Sequence, residues 1–236
     1  MKAFAALFQK LDQTTKTTVK TKALTEYFKQ APEADKLWTV ALFSGRRPRR
    51  VITTTRLREW AAERAGQPLW LFEECYPVVG DLAETIALFL PPPNQTSDQD
   101  LSFWINALLD ASQADEAQRK AFVLDAWDQL DTSERFLFTT LITGGFRIGV
   151  SQKLMTRALA AATGRDEAEL AHRLMGDWTP ETVTWHALIE ADDHAAAASR
   201  PSPFCLALAL GVGPGPLGPP PDWHAVWEGA GVRGQG

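Results

Sequence analysis

Apolar residues in this chain recur at intervals of three and four, in one segment after another, and seldom alternate with polar ones. That spacing fits the 3.6-residue turn of an α-helix and not the two-residue period of a half-buried strand. KALTEYFKQ, from Lys22, sets Leu24, Tyr27 and Phe28 at i, i+3 and i+4. DKLWTVALF, from Asp35, is apolar enough for a buried helix. TTTRLREWAAERAG opens on threonines able to cap a helix and closes on Gly66, and LAETIALFL follows Asp81, another candidate N-cap. PPPNQTSDQD (91–100) interrupts the pattern with three prolines and reads as a surface linker. Helical spacing resumes in LSFWINALLDA, QRKAFVLDAWDQL, ERFLFTTLI, SQKLMTRALAAATG and DEAELAHRLMG. The expectation is an all-α domain over residues 1–195. Residues 196–236 change character, with GVGPGPLGPPP (211–221) unsuited to the interior of a helix or strand.

An internal repeat runs through the helical part. LWTVALFSG (37–45) resembles FLFTTLITG (136–144), and TRLREWAAERAG ends on Gly66 where LMTRALAAATG ends on Gly164. Each copy is a helix, a glycine-containing turn with arginine, and a second helix closed by glycine. Two copies related by a pseudo-two-fold would present both turns on one face, which suits a ligand with two-fold character such as a duplex.

Charge is divided unevenly. The net charge is -5, yet residues 1–58 hold thirteen Lys or Arg against four acids, or +9, and the remainder carries -14. A basic segment on an acidic chain suggests a face for a polyanion. No stretch approaches the roughly 18 apolar residues of a membrane span. The opening MKAFAALFQKLDQ lacks the cleavage site of a signal peptide. Cys75 and Cys205 fit no redox or metal spacing, and His172, His186, His194 and His224 are scattered, with His186 and Glu190 spaced as a surface helix pair. A cytoplasmic, nucleoid-associated monomer without a membrane partner is expected.

Three segments carry the candidate contacts. TTKTTVKTK (14–22) alternates Lys16, Lys20 and Lys22 with hydroxyl residues ahead of a helix, a pattern that offers donors to phosphate oxygens. SGRRPRR (44–50) groups Arg46, Arg47, Arg49 and Arg50, whose guanidinium groups can pair with phosphates or enter a minor groove. TGGFRIGVSQK (143–153) places Gly144, Gly145 and Gly149 around Arg147, with Ser151 positioned to cap the next helix and Lys153 in its first turn. That spacing is neither a P-loop nor a dinucleotide fingerprint, since no Gly-Lys-Ser/Thr and no preceding strand accompany it.

FRIGVSQKLMTRALA (146–160) resembles the turn and following helix of the DNA-binding domain of ATP-dependent DNA ligases. VVGDLAETIALFLP (78–91) is similar to that domain's Gly-Asp helix start, and TTKTTVKTKALTEYF to its first helical segment in the bacterial branch. MGDWTPETVTWHALI (175–189) and RPSPFCLA (200–207) resemble the stretch leading into the nucleotidyltransferase domain. The resemblance implies an all-α, pseudo-two-fold domain that grips nicked or intact duplex DNA across the minor groove through its backbone. It implies contacts from Lys16, Lys20, Lys22, Gly144, Gly145, Arg147 and Gly149. Arg46, Arg47, Arg49, Arg50 and Lys153 join them on charge and on their places in the repeat.

The pattern departs from that family near residue 228. Its Lys-x-Asp-Gly-x-Arg element aligns with Glu228-Gly229-Ala230-Gly231-Val232-Arg233, so Glu228 stands where the adenylated lysine is expected. A carboxylate cannot form the phosphoramidate bond that a lysine amine forms. Residues 196–236 are accordingly read as a linker and a truncated, degenerate start of the nucleotidyltransferase domain. The expectation is a DNA-binding module of replication, repair or recombination that cannot ligate alone. ATP and Mg would belong only to a complete ligase, and this chain would take no cofactor. Two alternatives stand beside it: part of an active ligase completed by other domains, and a helical protein-interaction scaffold.

Overall fold

The computed structural model describes residues 1–190 apart from 47, 49–51, 145, 147 and 148. Those residues lie within one compact unit, Met1–Ala195, and contain no strand. They form α1 (Lys2–Asp12), α2 (Thr17–Gln30), α3 (Glu33–Phe43), α4 (Thr54–Ala65), α5 (Leu69–Val79), α6 (Leu82–Phe89), α7 (Leu101–Ala111), α8 (Glu116–Gln129), α9 (Thr132–Thr143), α10 (Gln152–Thr163) and α11 (Glu167–Met175), then a π-helical turn, His186–Glu190. No helix among them is long and apolar enough to cross a membrane. The expected segment 196–236, with Glu228, lies outside the described residues.

The repeat in the sequence is a repeat of structure, and it reaches further than the sequence shows. Helices α1 to α5 have 11, 14, 11, 12 and 11 residues, and α7 to α11 have 11, 14, 12, 12 and 9. The halves exchange their first helices: α1 packs on α9 and α7 packs on α3. Helices α3 and α9 are buried on nearly every side, as their almost continuous apolar sequences require. In each half an aromatic side chain of the second helix hydrogen-bonds a threonine of the third. Tyr27 Oη and Thr39 Oγ1 lie 3.0 Å apart, and Trp127 Nε1 donates to Thr139 Oγ1 at 3.1 Å. These pairs satisfy polar atoms that the core would otherwise strand, at a cost of about 1–3 kcal/mol each.

The exchange is held by a non-local cap. Asp100 precedes α7 but makes no side-chain cap there. Instead Asp35, on α3 and 2% exposed, accepts from Leu101 N at 3.1 Å and from Ser102 N at 2.8 Å. A carboxylate at a helix N-terminus satisfies orphan amides and opposes the helix dipole. The second anchor is Arg135 on α9, 1% exposed, which donates from Nε to Trp127 O at 2.5 Å and from Nη1 to Pro91 O at 2.6 Å. Residues 91–100, expected as a surface linker, are mostly exposed and are pinned at Pro91, Gln95 and Ser97. Gln95 N and Ser97 N donate to Asp128 O and Gln129 O, and Ser97 is buried.

The expected caps form as follows. Thr53 accepts from Arg56 N, Asp81 from Glu84 N and Ser151 from Leu154 N, and Gly66 and Gly164 end α4 and α10. Glu134 completes a capping box with Asp131, accepting from Asp131 N at 3.0 Å, while its Oε1 is buried with no hydrogen-bond partner among the described residues. Burial pushes its carboxyl group above the ordinary carboxylate range.

Two outcomes are expected. Asp35→Ala strips two amides of their acceptor and should lower unfolding free energy by about 1–3 kcal/mol in denaturant titrations. Glu134 holds its proton more tightly folded than unfolded. Its contribution is therefore complete below the unfolded pKa, near about 4.3, and is lost as pH rises through the elevated folded value. Glu134→Gln keeps the acceptor for Asp131 N and removes the titration. Melting temperatures compared from acid to neutral pH should show the variant gaining on the wild type as pH rises.

Candidate nucleic-acid interface

The two turns that the sequence singles out meet. A cleft of about 510 Å³ is lined on one side by Leu42, Phe43 and Gly45, from the turn after α3, and on the other by Phe146, Gly149, Val150 and Ser151, from the turn before α10. Aromatic packing sets the separation of the two rims. The buried ring of Phe4, on α1, lies 6.1 Å from Phe43 and 6.2 Å from Phe146 between ring centres. These three aromatics are the part of the site that sequence reasoning missed, because a core phenylalanine carries no mark of what it positions.

The cleft opens beside two helix N-termini. Lys20 Nζ donates to Gly149 O at 3.3 Å, and Thr25 Oγ1 donates to Ala158 O at 3.3 Å. Advancing along α2 therefore advances along α10, so the two helices run in the same sense and their positive dipole ends lie together. Gly149 has φ +57°, and a Cβ built there would stand 3.3 Å from Lys20 Nζ. Glycine is favoured by the left-handed backbone, and it leaves the lysine room that a Cβ would narrow.

Lys16 occupies the N-cap of α2, which has no side-chain cap. Lys16, Lys22 and Lys153 are exposed and enter no ion pair among the described residues. Lys20 differs: it is 9% exposed and its ammonium bridges the halves. Gly144 closes α9. Arg46 turns away from solvent, donating from Nη2 to Gly176 O at 2.7 Å and to Leu174 O at 3.4 Å, with its guanidinium 4.4 Å over the Trp178 ring. Arg47, Arg49, Arg50, Gly145 and Arg147 lie outside the described residues.

The counterpart of this site in the repeat is built oppositely. The pair α4 and α8 corresponds to α10 and α2, and its cations are paired. Arg56 meets Glu59 at 2.8 Å and Glu116 at 3.1 Å, Lys120 meets Glu63 at 2.6 Å, and Arg64 meets Asp128 at 2.6 Å. The N-terminus of α8 is closed by a capping box between Asp115 and Gln118. At one pair of helix starts Arg56 is thus neutralised and α8 is sealed, with Lys120 and Arg64 paired further along; the other pair is basic, with α2 left without a side-chain acceptor for its first amides. Elsewhere, His186 Nδ1 lies 3.3 Å from Glu190, the surface pair their spacing suggests.

No curated protein matches the chain. Residues 1–160 match the family described as DNA ligase N terminus, a span that takes in Lys16, Lys20, Lys22, both turns of the cleft and most of α10. This match extends over more than half of the sequence, and the chain belongs to that family, the N-terminal domain of ATP-dependent DNA ligases.

Proposed function

We propose that this domain holds duplex DNA by its phosphate backbone, along the basic face formed by the starts of α2 and α10 and the cleft between the two turns. The observation that carries the reading is the contrast between the halves. Helices α2 and α8 are counterparts of equal length, yet α8 is closed by Asp115 while α2 begins at Lys16 with no side-chain cap. Uncapped amides, a positive dipole end and lysines without carboxylate partners are what a phosphate oxygen binds. Lys16, Lys22 and Lys153 are the outward contacts in this reading. Lys20 and Gly149 hold the turn in place, and Lys20 adds its charge to the face. Arg47, Arg49, Arg50, Gly144, Gly145 and Arg147 are proposed as further contacts on the strength of the two turn sequences alone.

Such contacts are indifferent to base sequence, so the domain serves ligation at nicks in replication, repair or recombination by clamping the duplex. The residues near 228 do not fit an adenylate: Glu228 stands at the nucleophile position and Ala230 at the acidic one. No nucleotidyl transfer is therefore assigned to this chain, and neither ATP nor Mg is given it as a cofactor. A monomer in the cytoplasm, on the nucleoid, is the setting this reading requires.

Fluorescence anisotropy of a labelled nicked duplex, repeated with intact duplex and over a range of salt, tests the reading. Tight binding that weakens steeply with salt is expected, and Lys16→Glu with Lys153→Glu should flatten the logarithmic salt slope by about 2. No binding at low salt would sink the proposal. Gly149→Ala should cost about 1–2 kcal/mol of stability for the left-handed backbone and weaken DNA binding by displacing Lys20. Gly66→Ala, with φ +63° and nothing within 4 Å of its added Cβ, should lose similar stability with DNA affinity unchanged.

A further inference from the structure

We propose that Arg46 is a positioning residue for the DNA-facing cleft, acting through Trp178 and the end of α11 and making no phosphate contact of its own. The proposal rests on the DNA-binding reading above. As an arginine in a basic run beside a cleft, Arg46 has the look of a phosphate ligand, and its geometry argues otherwise. Its guanidinium donates to two carbonyls at the end of α11, Gly176 O and Leu174 O, and stands 4.4 Å over the centre of the Trp178 ring, a residue that is 5% exposed. Leu174 O also accepts from Trp178 Nε1 at 3.2 Å, so indole and guanidinium converge on one helix-terminal carbonyl. A cation there is favoured by the helix dipole and by the ring face together. Turning Arg46 toward a phosphate would strip both carbonyls and the indole of this partner.

The backbone of Arg46 is fixed at the other end. Arg46 N donates to Ala41 O at 2.8 Å and Gly45 N to Leu42 O at 3.1 Å, the pair of bonds that closes a Schellman turn. Gly45, the preceding residue, forms part of one rim of the cleft. That rim is therefore held between α3 and a segment 128 to 130 residues away. The same segment carries the chain from α11 toward residue 190. The duplex-facing rim and the segment leading out of the domain are thus fastened to each other through one side chain.

The test is a mutant cycle on the full chain, read by anisotropy on the nicked duplex with salt slopes and by thermal unfolding. Arg46→Ala should weaken binding roughly tenfold with the salt slope unchanged. Trp178→Ala, which removes no charge, should do the same, and the double variant should be no weaker than either single. Arg46→Lys and Trp178→Phe keep part of the contact and should restore part of the affinity, which also covers the case in which the alanine variants fold poorly. A fall of about 1 in slope for Arg46→Ala, with Trp178→Ala or Trp178→Phe binding as the wild type does, would make Arg46 a phosphate ligand and overturn the proposal. Additive losses would overturn it too. Wild-type protein that fails to bind DNA would instead remove the reading on which the clasp rests.

Discussion

Helices α3 and α9 are buried along most of their length, and covering them organises the domain. Each takes the first helix of the other half as a cover, α7 on α3 and α1 on α9. Bringing α7 to α3 would leave the first amides of α7 buried and unpaired, a cost comparable to a substantial part of a domain's net stability. Asp35 removes it by reaching across 66 residues to Leu101. The cap and the apolar packing therefore select the same arrangement of the chain.

The cleft follows from this arrangement. The turn after α3 and the turn before α10 leave neighbouring elements of an interlocked pair, and Phe4 touches an aromatic ring from each. Duplication gives the domain two equivalent pairs of helix starts, and the sequence then treats them differently. At one pair Arg56 is neutralised by Glu59 and Glu116, with Lys120 and Arg64 paired further along the same helices, while lysines at 16, 22 and 153 leave the other positive. The charge is thus concentrated on one face of an otherwise acidic protein and gives it a directional field, which a symmetric distribution of the same charges would not do.

Much of the fold was legible because its signals are local. The spacing of Leu24, Tyr27 and Phe28, the caps at Thr53, Asp81 and Ser151 and the closing glycines at 66 and 164 each act within a few residues. Helix α5 was not legible: of its side chains only Phe72 is buried, while Leu69, Trp70 and Val78 face outward, so its apolar pattern is no guide to its packing. The anchoring of 91–100 was hidden for a different reason. It depends on Arg135, which in sequence is simply one more charge. At the site, the basic runs were visible, but residue type alone does not separate Lys16, which projects, from Lys20 and Arg46, which are drawn inward by carbonyls far along the chain.

The bond between Lys20 and Gly149 spans 129 residues, and this separation has a consequence for the order of events as the chain folds. Contacts between distant residues close only after the intervening chain has been organised, since each long loop must first be confined. The basic segment precedes the wall it faces by 129 residues, so that wall is not present until residue 149 has been added. A chain with only its first half complete therefore carries the charge of the basic face without its geometry.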